Sequence, residues 1–205
     1  MQFGLTKDLT VPLRMGQDRL QTYYDTQTVE QNTTQYNFFP PSASTSDVEA
    51  NYDTNPLPEE KDRIILAFGL HLTHPILTDT NVGGDAVAFA NQLSFGKILF
   101  TLAQDESKVL EEPTQRYLRI KQIGTRNDDG DSTTAEANRV VVEDNGLVML
   151  NQQFGLSNST KFGIRIDFDD ASEFPASGQG FGIQATVQVA EGPNIIDRLR
   201  SSMSG

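Results

Sequence analysis

The decapeptide RIILAFGLHL, residues 63–72, decides the fold class. Ile64, Leu66, Phe68, Leu70 and Leu72 fall on one face of an extended chain and Ile65, Ala67 and Gly69 on the other, because successive side chains of a strand point to opposite sides. Both faces are nearly free of polar groups. That is the pattern of a strand covered on both sides, at the centre of a layered β protein.

Other segments repeat the period of two with one polar face. In KFGIRIDFDD, Phe162, Ile164, Ile166 and Phe168 alternate with Lys161, Arg165 and Asp167, and in GFGIQATVQV, Phe181, Ile183, Ala185, Val187 and Val189 alternate with Gly182, Gln184, Thr186 and Gln188. Ile98, Phe100 and Leu102, then Leu118 and Ile120, continue the series. RVVVED and GLVML, joined through Asp144-Asn145-Gly146, read as a hairpin, because Asn-Gly suits a tight turn whose two central residues have positive φ. One short helix is expected over Asp85–Leu93, capped by Asp85 and ended by Gly96, with Val87, Ala90 and Leu93 at helical spacing. Strands near 23–29, 33–39, 63–72, 97–103, 116–123, 139–143, 146–150, 161–168 and 180–190 make eight or nine. They predict an all-β antiparallel sandwich, with long crossings that suit a single jelly roll. The expected organisation is an extended N-terminal arm over 1–20, the jelly-roll domain over 21–190, and a tail over 191–205 that starts a short helix or forms a second arm.

Composition limits function. The chain of 205 residues suits one domain; 16 Lys and Arg against 28 Asp and Glu give a net charge of -12, which disfavours strong direct binding of nucleic acid or anionic membranes. There is no cysteine, so disulfides, thiolate metal sites and cysteine nucleophiles are excluded. The N-terminus lacks a signal-peptide pattern and no apolar run approaches the roughly 20 residues of a membrane span, so a soluble, non-secreted protein is expected.

Catalytic groups do not assemble in the sequence. His71 and His74 point to opposite faces, as a partly buried strand residue and a turn residue. Paired carboxylates, Asp167 with Asp169 or Glu111 with Glu112, lack any companion feature of a glycosidase, and no phosphate-binding loop is present. TRNDDGDSTTAE, residues 125–136, fits part of a calcium loop through Asn127, Asp129 and Glu136, but Thr125 stands where the leading Asp is required. The expectation is a non-enzyme with no cofactor.

The segment QTYYDTQTVEQNTTQYNFFPP, residues 21–41, is rich in Thr and Gln and tipped with aromatics. With a self-sufficient core expected from about residue 63 onward, its backbone is predicted to pair along a sheet edge, with Tyr23, Tyr24, Tyr36, Phe38 and Phe39 as anchors against the chain's own sheets or a neighbouring subunit. The acidic, proline-containing link SASTSDVEANYDTNPLPEEKD, residues 42–62, follows.

This order of features, a polar arm, TYYDTQTVEQNTTQYNFF, an acidic link, RIILAFGLHL and a series of alternating strands, resembles a jelly-roll capsid protein of a tailless icosahedral virus such as a bacteriophage. The resemblance covers most of the chain and rests on architecture and composition. It implies a structural virion subunit, assembled in the host cytoplasm into trimeric, pentameric or hexameric capsomers alongside other virion proteins. Major capsid, vertex and minor cementing roles stay open. Contact with genome or an internal membrane would fall to local basic residues such as Arg14 and Arg19. The alternative is a β-sandwich module that binds a receptor or carbohydrate.

Overall fold

A computed structural model describes residues 13–14, 16–39, 50–51, 62–102, 107–125, 138–156, 162–176 and 179–203. Two four-stranded sheets face each other across one core. The first has the order β1 (Arg19–Thr28), β11 (Gly182–Glu191), β3 (Arg63–Leu72), β9 (Val148–Leu156); the second, β2 (Gln35–Phe38), β10 (Phe162–Phe168), β5 (Gly96–Leu102), β6 (Ser107–Pro113). A third sheet of β4 (Ile76–Thr78), β8 (Asn138–Asp144) and β7 (Leu118–Thr125) lies beside them. All pairings are antiparallel.

The sandwich therefore has eight strands, but not the expected set. Residues 116–123 and 139–143 belong to the third sheet, and β6, whose sequence SKVLEEP shows no clean alternation, takes the vacated place. The Asn-Gly hairpin does not form: β8 pairs with β7 and β4 whereas β9 pairs with β3, so the chain crosses between sheets at residues 145–147. Gly146 has φ 65°, but Asn145 stays at negative φ. The Asn145 amide donates to the Arg116 carbonyl at 2.7 Å, and its N–H to that of Tyr117 at 2.9 Å, which holds the crossing in place. Gly69 accommodates this crossing; a Cβ there would lie 3.0 Å from the Gly146 carbonyl oxygen.

The central strand behaves as predicted in burial and differently in phase. Nine of its ten residues are buried. Opposite β11, however, Gln188 pairs with Ala67 and Val189 with Ile65, so Leu66 is an extra residue, a β-bulge. The bulge moves the strand by one position: Ile65, Phe68, Leu70 and Leu72 face the main core, while Ile64, Leu66 and Ala67 face the other side. There they meet Ile195 and Leu199 of α3 (Ile195–Met203). The tail is thus a docked helix rather than a second arm. Asp18, just before β1, ties it down by accepting from Arg198 at 2.6 and 2.8 Å.

Among the described residues three α-helices occur where at most one short helix was expected. Thr78 and Asn81 form a capping box on the one-turn α1 (Asp79–Val82). Asp85 caps α2 (Ala86–Ser94), accepting from the N–H groups of Val87 and Ala88 at 2.9 and 3.0 Å. This matches the expected helix, although its buried face is Ala86, Phe89, Ala90 and Leu93. Phe89 meets Phe174 and Phe181, with ring centroids 5.2 and 5.8 Å away. Phe68 sits edge-on to Phe100 and Tyr117, 5.2 and 4.9 Å away, and links the two sheets.

Candidate interface: the sheet edges and the polar groups behind them

Residues 21–39 close the chain's own sandwich. Tyr23, Tyr36, Phe38 and Phe39 are buried in the main core, so the core does not begin at residue 63. Tyr36 donates its hydroxyl to the Glu30 carbonyl and accepts from the Glu30 N–H, while its ring packs edge-on to Phe168. Burial raises the pKa of this phenol. Phe39, at φ 59°, turns its ring onto Phe162 at 5.0 Å and donates its N–H to Asp25, 2.6 Å away. Of the five expected anchors, Tyr24 alone is half-buried, on the outer face of the first sheet.

Polar groups behind these strands are hydrogen-bonded to one another. Glu191, buried at the end of β11, accepts from Arg63 Nε at 2.6 Å and from the Tyr23 hydroxyl at 3.4 Å. Burial and the Glu191 charge raise the Tyr23 pKa. Glu112 accepts from Arg116 at 2.5 Å, from the Tyr117 hydroxyl and from the Asn151 N–H at 3.3 Å. Glu111 is exposed on the opposite face, so the two cannot act as an acid and base pair. Asp167 pairs with Arg165 at 3.0 Å, and Asp169 is exposed. His71 lies 3.1 Å from Asp144; His74 is exposed beside Thr73 and the Phe181 ring. Asn127, Asp129 and Glu136 lie outside the described residues. Among the described residues, no group of three or more His, Cys, Asp or Glu side chains could hold a metal ion, and no helix is long and apolar enough to cross a membrane. Arg14 and Arg19 are exposed.

Asp18 has a testable pH signature. Burial pushes its pKa up, but the bonds from Arg198 and the Arg14 N–H outweigh this and hold it below 3.8. A depressed folded-state pKa adds stability that is fully present above the unfolded value and lost as pH falls through the folded one. Asp18→Asn is therefore expected to unfold at lower urea than wild type at pH 7, with the gap closing as pH drops below 3.8.

The six outer strands differ in how their edges are guarded. An unpaired edge invites another strand unless it is short, bulged, charged, broken by proline or covered. β2 has four residues and β4 three. β7 carries exposed Arg119 and Lys121 and a bulge, since Ile120 pairs with Val142 and Gln122 with Val141. β6 skips Val109 in its register and ends at Pro113. β9 is out of register over Leu150–Gln153, and its Met149 carbonyl accepts from Arg116.

β1 is neither short nor bulged, and its charges are the exposed Arg19 and the buried Asp25. It runs for ten residues in unbroken register, without proline or lysine. Its outward backbone groups meet Ala50 and Asn51. The Tyr24 N–H donates to Asn51 Oδ1 at 2.6 Å, Asn51 Nδ2 to the Thr22 carbonyl at 2.9 Å, and the Asn51 N–H to the Tyr24 carbonyl at 3.3 Å. An antiparallel bridge joins Asp25 to Ala50. Asn51 does with its side chain what another strand would do with its backbone. Nothing in the sequence marks this one Asn of an acidic link as a partner of a sheet edge.

No family model, curated protein or solved structure matches the chain.

Proposed function

We propose that the chain is a jelly-roll capsid subunit: a structural, non-enzymatic protein that self-associates into the capsomers of an icosahedral virion of the tailless-phage kind. The observation that carries this reading is the strand order. Counting only the eight sandwich strands in chain order, the sheets run 1-8-3-6 and 2-7-4-5. This is the order obtained when a long antiparallel hairpin rolls up as two Greek keys, the architecture that viral capsid proteins share with lectins and cupins. The buried polar pairs add support, because they tie strand ends together and leave the outer surface to contacts. With a net charge of -12, such a shell would hold its genome through other proteins, cations or local basic side chains.

The test is electron microscopy and native mass of the purified protein at rising concentration. Closed, uniform particles or rings are expected, and a monomer persisting at millimolar concentration overturns the reading. A second reading, a carbohydrate-binding module, draws on the outer face of the first sheet, where Thr22, Tyr24 and Thr26 line up with Gln188, Thr186 and Gln184. It predicts selective hits on a glycan array.

A further inference from the structure

We infer that Asn145 is a self-modification site: its side-chain amide is lost through attack by the backbone nitrogen of Gly146, and the folded crossing between the sheets holds that reaction back.

Asn145-Gly146 is the one Asn-Gly pair in the chain, and Asn145 is exposed. Asparagine is thermolabile because the nitrogen of the next residue can close a five-membered ring on its side-chain carbonyl carbon, and glycine, with no Cβ, obstructs that approach least. In the reaction a bond forms from Gly146 N to Asn145 Cγ. The N–H proton passes to solvent, and Nδ2 takes up a proton and leaves as ammonia. Water then opens the ring at either carbonyl, giving aspartate or, with one extra carbon in the main chain, isoaspartate. The reaction needs no oxidant or metal.

Both ends of this reaction are tied down in the folded chain. The Gly146 N–H, which must lose its proton to attack, donates to Asp144 Oδ1 at 2.9 Å. A hydrogen bond to the neutral form and a negative charge beside it both disfavour the anion. Asp144 carries that charge: burial pushes its pKa up, but the bonds from His71 and the Gly146 N–H outweigh this and hold it below 3.8. His71 Nδ1 lies 3.1 Å from the second oxygen, Oδ2, so the carboxylate is also held from β3. The leaving nitrogen, Nδ2, donates to the Arg116 carbonyl at 2.7 Å, and the Asn145 N–H to the Tyr117 carbonyl at 2.9 Å. Together they clamp the residue against the start of β7.

Neither product fits the site. Aspartate sets a carboxylate oxygen where the amide donated, acceptor against the Arg116 carbonyl. Isoaspartate lengthens the main chain where it passes close to β3, at the point where a Cβ on Gly69 would lie 3.0 Å from the Gly146 carbonyl oxygen. The fold thus protects the amide on which its own crossing depends, and a chain modified while unfolded regains a weaker crossing.

The experiment is peptide mapping by mass spectrometry of wild type and Asp144→Ala, each incubated folded and in guanidinium chloride at one alkaline pH, with circular dichroism to establish the folded fraction. Folded Asp144→Ala is expected to convert Asn145 about tenfold faster than folded wild type, the factor that releasing a donor from a charged acceptor implies. Unfolded wild type should convert faster still, and the two unfolded chains alike. Equal rates in folded and unfolded wild type overturn the inference, as does a folded Asp144→Ala that converts as slowly as wild type. Asn145→Asp, which makes one product directly, is expected to unfold at lower urea than wild type, and an equal midpoint would show that the crossing does not depend on the amide. If Asp144→Ala does not fold, the two wild-type rates and the Asn145→Asp midpoint decide.

Discussion

Replacing Phe38 by alanine is expected to lower the unfolding free energy of the isolated chain by about 3–5 kcal/mol, the range for emptying a buried phenylalanine site. Phe38 is 2 % exposed and sits opposite Ile164 in the register of β2 with β10. β2 is only four residues long and anchored largely by Tyr36 and Phe38, so losing one ring also loosens the strand that closes the second sheet. Tyr24→Ala, at a half-buried position on the outer face, is expected to cost about 1 kcal/mol or less. Urea unfolding followed by circular dichroism at a concentration where both are monomers separates the cases. A Phe38→Ala midpoint equal to wild type would mean that the ring is an anchor for a partner and not part of this core.

Glu191→Leu should be of comparable severity, at about 3–5 kcal/mol, the range for removing one partner of a buried ion pair. Arg63 and Glu191 are 4 % and 3 % exposed at their side chains and 2.6 Å apart, at the first residue of β3 and the last of β11. The pair itself need not be strongly stabilising, since taking both charges from water offsets most of their attraction. The double variant Arg63→Met/Glu191→Leu should therefore recover most of the loss, leaving it within about 1–2 kcal/mol of wild type in the same urea experiment. A double variant as unstable as the single one would show that Arg63 is held mainly by its other contacts.

How much could be read beforehand depended on contrast between faces. β10 and β11 are legible to within two residues because apolar and polar positions alternate, so strand and buried face follow together. β3 was legible as a doubly covered strand, but its bulge was not. With every residue from Ile64 to Leu70 apolar or glycine, a one-residue slip at Leu66 changes nothing in the pattern. α2 was found through its Asp85 cap, while Phe89 was missed because the periodicity was anchored on Val87. Tyr23, Tyr36, Phe38 and Phe39 stand out as aromatic anchors in the sequence, yet their destination in the chain's own core is not visible there. A ring in a polar segment looks the same whether it meets its own sheet or another chain's.

The sequence by itself determined that this is a mostly β, antiparallel, layered protein without cysteine chemistry and with a strongly acidic balance, since these follow from side-chain period and composition. Only the tertiary structure decided which strands are neighbours, that Asn145-Gly146 crosses between sheets instead of closing a hairpin, and that Ala50–Asn51 lies on the edge of β1. The physical reason is range. Period and propensity act over a few residues, whereas partner choice and edge cover arise from backbone groups far apart in the chain, and any residue's N–H and C=O can meet those needs equally well.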